Sequence, residues 1–548
     1  MKSDGLFAVL GLIYRCDKRR FVWKGICTVL ISLLPLANLY VVKLIVDSLS
    51  VSNTENSIAE GITSVVPLAF LFAGIYLLVR LIGVLNSVND DILAQRLTDS
   101  INKEIQDQSV RLDMAYYDNP EFHDTFHRAQ QEASHRPLMM LNCFMTAFGA
   151  VIAMGGVFAL LCTSSWQVVV ILLVAFLPSF FVRFYKSRRI YHFRKSTTQQ
   201  TRRSAYYGAL LSSRAPAQEV RTFGLANHFR NLYVEVRANL VAKLISISRR
   251  IGICDAATAI AESAALCAVL FFLMQPVAAG IASIGTFVML FEAFRRGQGY
   301  MSSLVSGVSG IYEQRLFVGN LFEFLKLEPN IVSPADPIPF PEKIDSVEFD
   351  NITFSYPGME RQVLTHFSLK ARVGEITHIQ GENGFGKSTL LKLLLRLYDP
   401  QDGHVRINGR DIREFDLTEL RGHIGVVFQD YGRYCFTLRE NIEFGNIRQP
   451  HNDKAFADAV RLAGVEEIAN RLPQGYETLL GRQFDGGQEL SMGQWQRVAL
   501  ARMIYSQSPI MLMDEPTAWM DKESRERFMS TLEEIRTGRI LILVSHRD

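Results

Sequence analysis

No cysteine pair in this sequence is spaced as CxxC. The seven cysteines, Cys16, Cys27, Cys143, Cys162, Cys254, Cys267 and Cys435, lie mostly in apolar runs, where a thiol behaves as a small buried hydrophobe. That excludes a zinc ribbon or a disulfide framework as the organising element. A large charge of one sign is missing too. The net charge is +3 over 548 residues, so the whole-chain field says little about partners, and no nucleic acid is expected. A cleavable signal peptide is also absent: the apolar run after Lys18, Arg19 and Arg20 is too long for a signal h-region and has no clear cleavage site. Finally, lysine and arginine are absent from residues 48–62, 164–165 and 275–283.

What is present explains that last gap. Hydrophobic residues make up 48% of the chain and charged residues 21%, with a mean hydropathy of +0.11. The average hides a split between a front part of long apolar runs and a back part that reads as a soluble α/β protein. A spanning helix needs roughly 20 largely apolar residues. Residues 21–46, 63–86, 138–163, 166–185 and 251–274 qualify, and 277–294 is a weaker sixth, richer in small residues. The cations cluster on alternate loops: Arg15 to Arg20, Arg96 to Arg136, and Lys186 to Arg203. The positive-inside rule puts these loops and the N-terminus in the cytoplasm. Six spans then return the chain to the cytoplasm before its soluble part, so the expected location is the cell inner (plasma) membrane, multi-pass, with the soluble half inside.

The loops at 87–137 and 186–250 have helix-forming composition with few breakers. They predict helical arms reaching about 30 Å beyond the membrane. Turn-like patches at 117–122 and 213–216 mark where the arms reverse. Charges within apolar runs are costly and usually functional. Arg80, Asp255, Glu262 and Glu292 are the cases, and Glu262 and Glu292 are expected to face a central aqueous cavity.

Five prolines between 327 and 341 (Pro329, Pro334, Pro337, Pro339 and Pro341) remove backbone donors and fix φ, so this stretch is a linker. Beyond it Val347, Phe349, Ile352, Phe354 and Tyr356 alternate as a strand does. The run from Val405 to Gly409 reads as a hairpin with an Asn-Gly turn. Gly381-Glu382-Asn383-Gly384-Phe385-Gly386-Lys387-Ser388 fits G-x-x-x-x-G-K-[ST] in full, after a predicted strand (376–379) and at the start of a predicted helix (388–398). That context is what phosphate binding requires: curled backbone N–H groups, a helix N-terminus, a lysine for the β/γ-phosphates and a hydroxyl for Mg²⁺. Downstream, residues 510–515 read as a buried strand ending in Asp514 and Glu515. Asp514 suits the Mg²⁺ shell, and Glu515 is placed to polarise water as a general base.

These motifs resemble those of ATP-binding cassette (ABC) transporters, and the resemblance covers essentially the whole chain. Leu490-Ser491-Met492-Gly493-Gln494 is similar to the signature LSGGQ, and Gln496-Arg497 follows it as in the family. The resemblance implies an adenine-stacking aromatic at Tyr356, phosphate contacts extending to Thr389, a γ-phosphate and Mg²⁺ sensor at Gln429, a D-loop aspartate at Asp521 and a switch histidine at His546. Residues 117–122 look like a coupling helix. Met492 replaces the first glycine of the signature, and Ala518-Trp519-Met520-Asp521 departs from the usual SALD. Trp495 and Phe484-Asp485-Gly486-Gly487 look closest to lantibiotic and related peptide exporters.

The implied architecture is a six-helix transmembrane domain (1–327), a linker (328–341) and a P-loop ABC ATPase domain (342–548). The resemblance implies further elements beyond Asp548, so that domain is expected to be truncated, and no peptidase domain is expected ahead of the first helix. The implied ligands are ATP and Mg²⁺. The implied partners are the bilayer and a second half-transporter, an identical copy in preference to a different chain. Three activities stay open: export of a peptide, export or flipping of drugs or lipids, and a membrane-tethered regulatory ATPase.

Overall fold

The computed structural model describes residues 4–52, 58–118, 126, 136–162, 166–214, 216–359, 361–382, 385–448, 451–516 and 522–545. The chain divides into two compact units. One joins Met1–Ser109 to Thr125–Lys326, and the other joins Val110–Asp124 to Leu327–Asp548.

The helices before the linker are α1 (Asp4–Cys16), α2 (Lys18–Ser52), α3 (Ile58–Arg111), α4 (Met114–Tyr117), α5 (Arg136–Cys162), α6 (Trp166–Ser196), α7 (Thr198–Ser212), α8 (Ala217–Thr222), α9 (Ala226–Ala278) and α10 (Ile284–Leu325). All but α4 and the end of α3 belong to the first unit. Among the described residues, α2, α3, α5 and α9 are by length and composition apolar enough to cross a membrane. The expected fourth and sixth spans fall on α6 and α10, so four such helices stand where six were expected. The sixth also needs redrawing, because 277–294 is not one helix. Gly280 takes a left-handed φ of 69°, and Ile281 N–H and Gly280 N–H close back on Pro276 and Val277 carbonyls at 2.9 and 3.0 Å. This Schellman closure ends α9. Ser283 Oγ then caps α10 by accepting from Thr286 N–H at 3.1 Å. Ala, Gly and Ile make the break as apolar as its flanks, so hydropathy does not register it.

The arms extend as expected. At 1.5 Å per residue, the 54 residues of α3 and 53 of α9 each run about 80 Å. The second reversal falls between α7 and α8. Pro35, Pro67, Pro178 and Pro276 lie inside helices, which long spanning segments tolerate. Phe70, Leu77 and Val84 are exposed on α3, as residues facing lipid tails would be. Leu39, Val157, Leu161, Leu273 and Phe294 form a shared core of α2, α5, α9 and α10. Helices α5 and α10 approach closely because the contact uses glycine: a Cβ on Gly307 would sit 2.7 Å from the Cys143 carbonyl. The buried Lys24 ammonium pairs with Asp90.

In the second unit, no helix or regular strand forms between Lys326 and Ser346. An antiparallel sheet of order β2-β1-β4-β5 follows, with β1 Ser346–Phe354, β2 Leu364–Arg372, β4 Asp402–Ile407 and β5 Arg410–Asp411. The Asn-Gly hairpin is present, with Asn408 at φ 51° and Gly409 at φ 79°. A parallel sheet has the order β3-β8-β7-β6, with β3 Ile376–Gln380, β6 Ile424–Val427, β7 Ile510–Asp514 and β8 Ile540–Ser545. Every residue of β7 is buried, as a central parallel strand requires. Among the helices here are α11 (Lys387–Leu394), α12 (Leu438–Glu443), α13 (Asp453–Leu462), α14 (Met492–Tyr505) and α15 (Lys522–Ile535). Helix α11 is shorter than the predicted 388–398.

Candidate functional site

Chain direction gathers the site. All four strands of the parallel sheet run the same way, so their C-terminal ends share one edge, where ligands of open α/β sheets bind. The register aligns Gln380 with Ser545 and Asp514 with Val544. That edge therefore carries the glycine-rich loop after β3, Gln429 after β6, Asp514 and Glu515 at β7, and Ser545 at β8.

Gly386 caps α11 at φ 80°, and a Cβ there would lie 2.8 Å from a Leu364 methyl, so only glycine fits the turn. Lys387 is buried. Its Nζ donates to the Gly381 carbonyl at 2.6 Å and the Ser545 carbonyl at 3.3 Å, which fixes a cation at the mouth of the loop. Burial pushes the Asp514 carboxyl above the usual range, the Ser388 hydroxyl partly offsetting it. Among the described residues its Oδ1 is buried without a partner. An orphaned carboxylate oxygen beside a serine hydroxyl suits a hard divalent cation. Glu515 sits at φ 50°, a left-handed conformation that turns its side chain off the strand path. Gln429 Nε2 donates to its Oε2 at 3.0 Å. Tyr356 is anchored by its hydroxyl on Thr389 Oγ1 at 3.0 Å, and the Lys392 ammonium lies 5.2 Å from its ring centre. Glu382 and Phe385 are described, and the Phe385 ring is exposed. Asn383, Gly384, Asp521 and His546 lie outside the described residues, as does most of the expected coupling helix.

The signature begins α14. Ser491 Oγ accepts from Gln494 N–H at 3.3 Å and Gln494 Oε1 accepts from Ser491 N–H at 2.8 Å, a reciprocal capping box. Trp495 is buried, and its indole donates to Glu489 Oε1 at 3.1 Å. The departure Met492 is exposed, and Gly493 remains free of a side chain.

Sequence reasoning missed a set of contacts made by the α4 segment inside this unit. Asp113 is buried, and its carboxylate accepts from Asn330 N–H at 2.6 Å and Ile331 N–H at 3.2 Å. Tyr116 Oη donates to the Glu328 carbonyl at 3.0 Å, and Tyr398 Oη donates to Asp118. Tyr398 in turn meets Tyr356 edge-on at 5.4 Å between ring centres. Burial, then the Asp118 carboxylate, pushes the Tyr398 phenol well above its usual range. No periodicity or motif marks these pairings, because the hydrogen-bonded partners lie more than two hundred positions apart. Removing the Asp113 carboxylate strands two N–H groups at about 1–3 kcal/mol each, so Asp113→Ala is expected to lower cargo moved per ATP hydrolysed while nucleotide binding persists. Parallel transport and phosphate-release assays check this.

Of the intramembrane charges, Glu262 and Asp255 line a cavity of about 500 Å³ in the first unit, together with Lys186, Thr258, Ser306 and Glu313. Glu292 does not join it. Arg295 holds both its oxygens at 2.8 and 2.9 Å, and Arg296 adds a bond at 3.2 Å. Spacing of three and four along one helix makes these pairs inevitable neighbours.

The family model of the ABC transporter transmembrane region matches residues 24–297, half of the chain, and that of the ABC transporter matches residues 364–518. The chain is 26% identical to the Subtilin transport ATP-binding protein SpaT of Bacillus subtilis, over 98% of this chain and 86% of that protein. It is 23% identical to the Nisin transport ATP-binding protein NisT of Lactococcus lactis, over 98% and 88%. A solved bacterial Atm1-family ABC exporter with ATP bound shares the fold at a TM-score of 0.80, with 22% identity, 97% of this chain and 91% of that one covered. The chain belongs to the ABC transporters, as a multi-pass membrane exporter whose transmembrane region and cytoplasmic ATP-hydrolysing domain are fused in one polypeptide.

Proposed function

We propose that this transporter exports a peptide, lantibiotic-like in class, as a homodimer working by alternating access. The observation that carries the cargo class is coverage. The subtilin and nisin transport proteins match over 98% of the chain, whereas an ATP-dependent lipid A-core flippase of Syntrophus aciditrophicus matches 52% of it at 32% identity. Residues 1–327 form the transmembrane domain, 328–341 the linker and 342–548 the ATPase domain. One chain carries one glycine-rich loop and one signature. Each ATP is therefore held between Gly381 to Thr389 of one subunit, with Tyr356 on the base, and Ser491, Gly493 and Gln494 of the other, with Asp521 nearby. Ser388, Asp514 and Gln429 are the groups that would hold Mg²⁺, which would screen phosphate charge. Glu515 takes the proton of the attacking water, and His546 contacts the γ-phosphate. Moving a two-state transporter from 1:99 to 99:1 requires roughly 5.5 kcal/mol of differential affinity, which a phosphate clamp complete only in the closed dimer can supply.

Stimulation of ATP turnover by a cationic peptide, with uptake of that peptide into inverted vesicles, tests the reading. Stimulation by lipid or drugs alone would move the assignment to flipping or multidrug export, and turnover without any uptake would favour a regulatory ATPase. The cavity has its own test. In a cysteine-free background, Glu262→Cys is expected to react with a water-soluble thiol reagent and to be protected by cargo. Lipid-like protection in every state would remove it from the transport path.

A further inference from the structure

The helix that presents the signature is fastened to the catalytic edge at two points. Tyr431 Oη donates to the Met492 carbonyl at 2.8 Å, and Tyr431 lies two residues past Gln429, a span of at most about 7 Å. Gln496, one turn into α14 and buried, donates from Nε2 to the Pro516 carbonyl at 2.5 Å, and Pro516 follows Glu515 directly. Gln429 and Glu515 themselves touch at 3.0 Å. A closed circuit results: Gln429 to Glu515, Glu515 through Pro516 to Gln496, along the first turn of α14 to Met492, and through Tyr431 back to Gln429. Met492 lies between Ser491 and Gly493, so whatever moves its carbonyl moves the two groups that meet phosphate.

We propose that Tyr431, supported by Gln496, is a positioning residue that sets the signature of α14 according to the state of the Gln429–Glu515 pair in the same subunit. The inference rests on the dimeric reading above, since the signature so positioned serves the other subunit's nucleotide. When Gln429 leaves Glu515 for a phosphate-bound cation, the two-residue step through the turn at Gln429 and Asp430 carries that displacement to the Tyr431 hydroxyl. The ring of Tyr431 packs against the buried cluster of α12 to α15, which holds its hydroxyl on Met492 rather than letting it swing free. The side chain at position 492 plays no part in the contact, which is made to the backbone carbonyl alone.

Tyr431→Phe keeps the ring and its packing and deletes only the hydroxyl. In the full-length protein reconstituted in lipid, this variant is expected to bind nucleotide at rest as the parent does. Its half-saturating ATP for turnover should rise about 5-fold, the worth of one hydrogen bond, and its Hill coefficient should fall towards one. Gln496→Met, which fills the same space without a donor, should shift both quantities the same way. A merely structural role would lower thermal stability and leave the Hill coefficient alone. If ATP turnover of the parent is cooperative and Tyr431→Phe matches it in Hill coefficient and half-saturating ATP, the inference is overturned and the dimeric reading stands. If the parent neither dimerises with ATP nor shows cooperativity, the dimeric reading fails and takes the inference with it.

Discussion

Glu515→Gln protein is expected to retain ATP, to turn it over about 10²–10⁴-fold more slowly than the parent, the range lost with a general base, and to accumulate as a closed dimer. The substitution preserves shape and removes the only chemistry asked of the side chain. Glu515 is held at φ 50° with its backbone N–H on the Val544 carbonyl at 3.0 Å, so the carboxylate position is dictated by the strand edge and not by its charge. Gln429 can bond an amide oxygen as it bonds the carboxylate. Phosphate-binding groups on the glycine-rich loop are untouched. Single-turnover phosphate release measures the rate, and ATP-dependent cross-linking between subunits measures the trapped dimer. Turnover at the parent rate would show that another group activates the water.

Lys387→Ala is expected to weaken nucleotide binding by about 30-fold to several thousand-fold, the range for deleting one partner of a buried charge pair. Two carbonyls hold the Lys387 ammonium at the loop mouth, at 2.6 and 3.3 Å. A polyphosphate arriving there meets a cation already desolvated and positioned, with little reorganisation left to make. Alanine removes that charge and leaves the backbone N–H groups and the dipole of α11, which alone bind a phosphate weakly. Equilibrium binding of a fluorescent ATP analogue reads the loss. Unaltered far-ultraviolet circular dichroism would confirm that the fold is intact. Affinity equal to the parent's would place the phosphates elsewhere.

The candidate nucleotide site was legible because its chemistry is local. A glycine at φ 80°, a lysine one residue later and a hydroxyl next to it make a phosphate cradle within eight positions, and any chain that folds into strand, turn and helix there will bring them together. The same holds for Asp514 and Glu515 at the end of a fully apolar strand, and for the Asn-Gly hairpin. The long helices were legible because a bilayer tolerates backbone polar groups only when a helix satisfies them internally. The break at Gly280 was not, since hydropathy averages over a turn whose residues are as apolar as the helices they separate. Glu292 was misplaced for a related reason: an acid in an apolar run announces a cost, but not which neighbour meets it.

The amino-acid order on its own determined that this chain has a membrane-crossing part and an ATP-using part and which side faces the cytoplasm, and it nominated eight residues, Gly381 to Ser388, to catch phosphate, because hydropathy, loop charge and turn chemistry act over spans shorter than one helix. Folding in three dimensions decided the rest. It set Asp113 on the linker, Tyr398 on Asp118, Tyr431 on Met492 and Glu262 at a cavity that Glu292 does not reach. Each of those outcomes depends on which of many possible distant partners the packed core leaves within 3 Å, and that is settled only when the apolar surfaces have chosen how to bury one another.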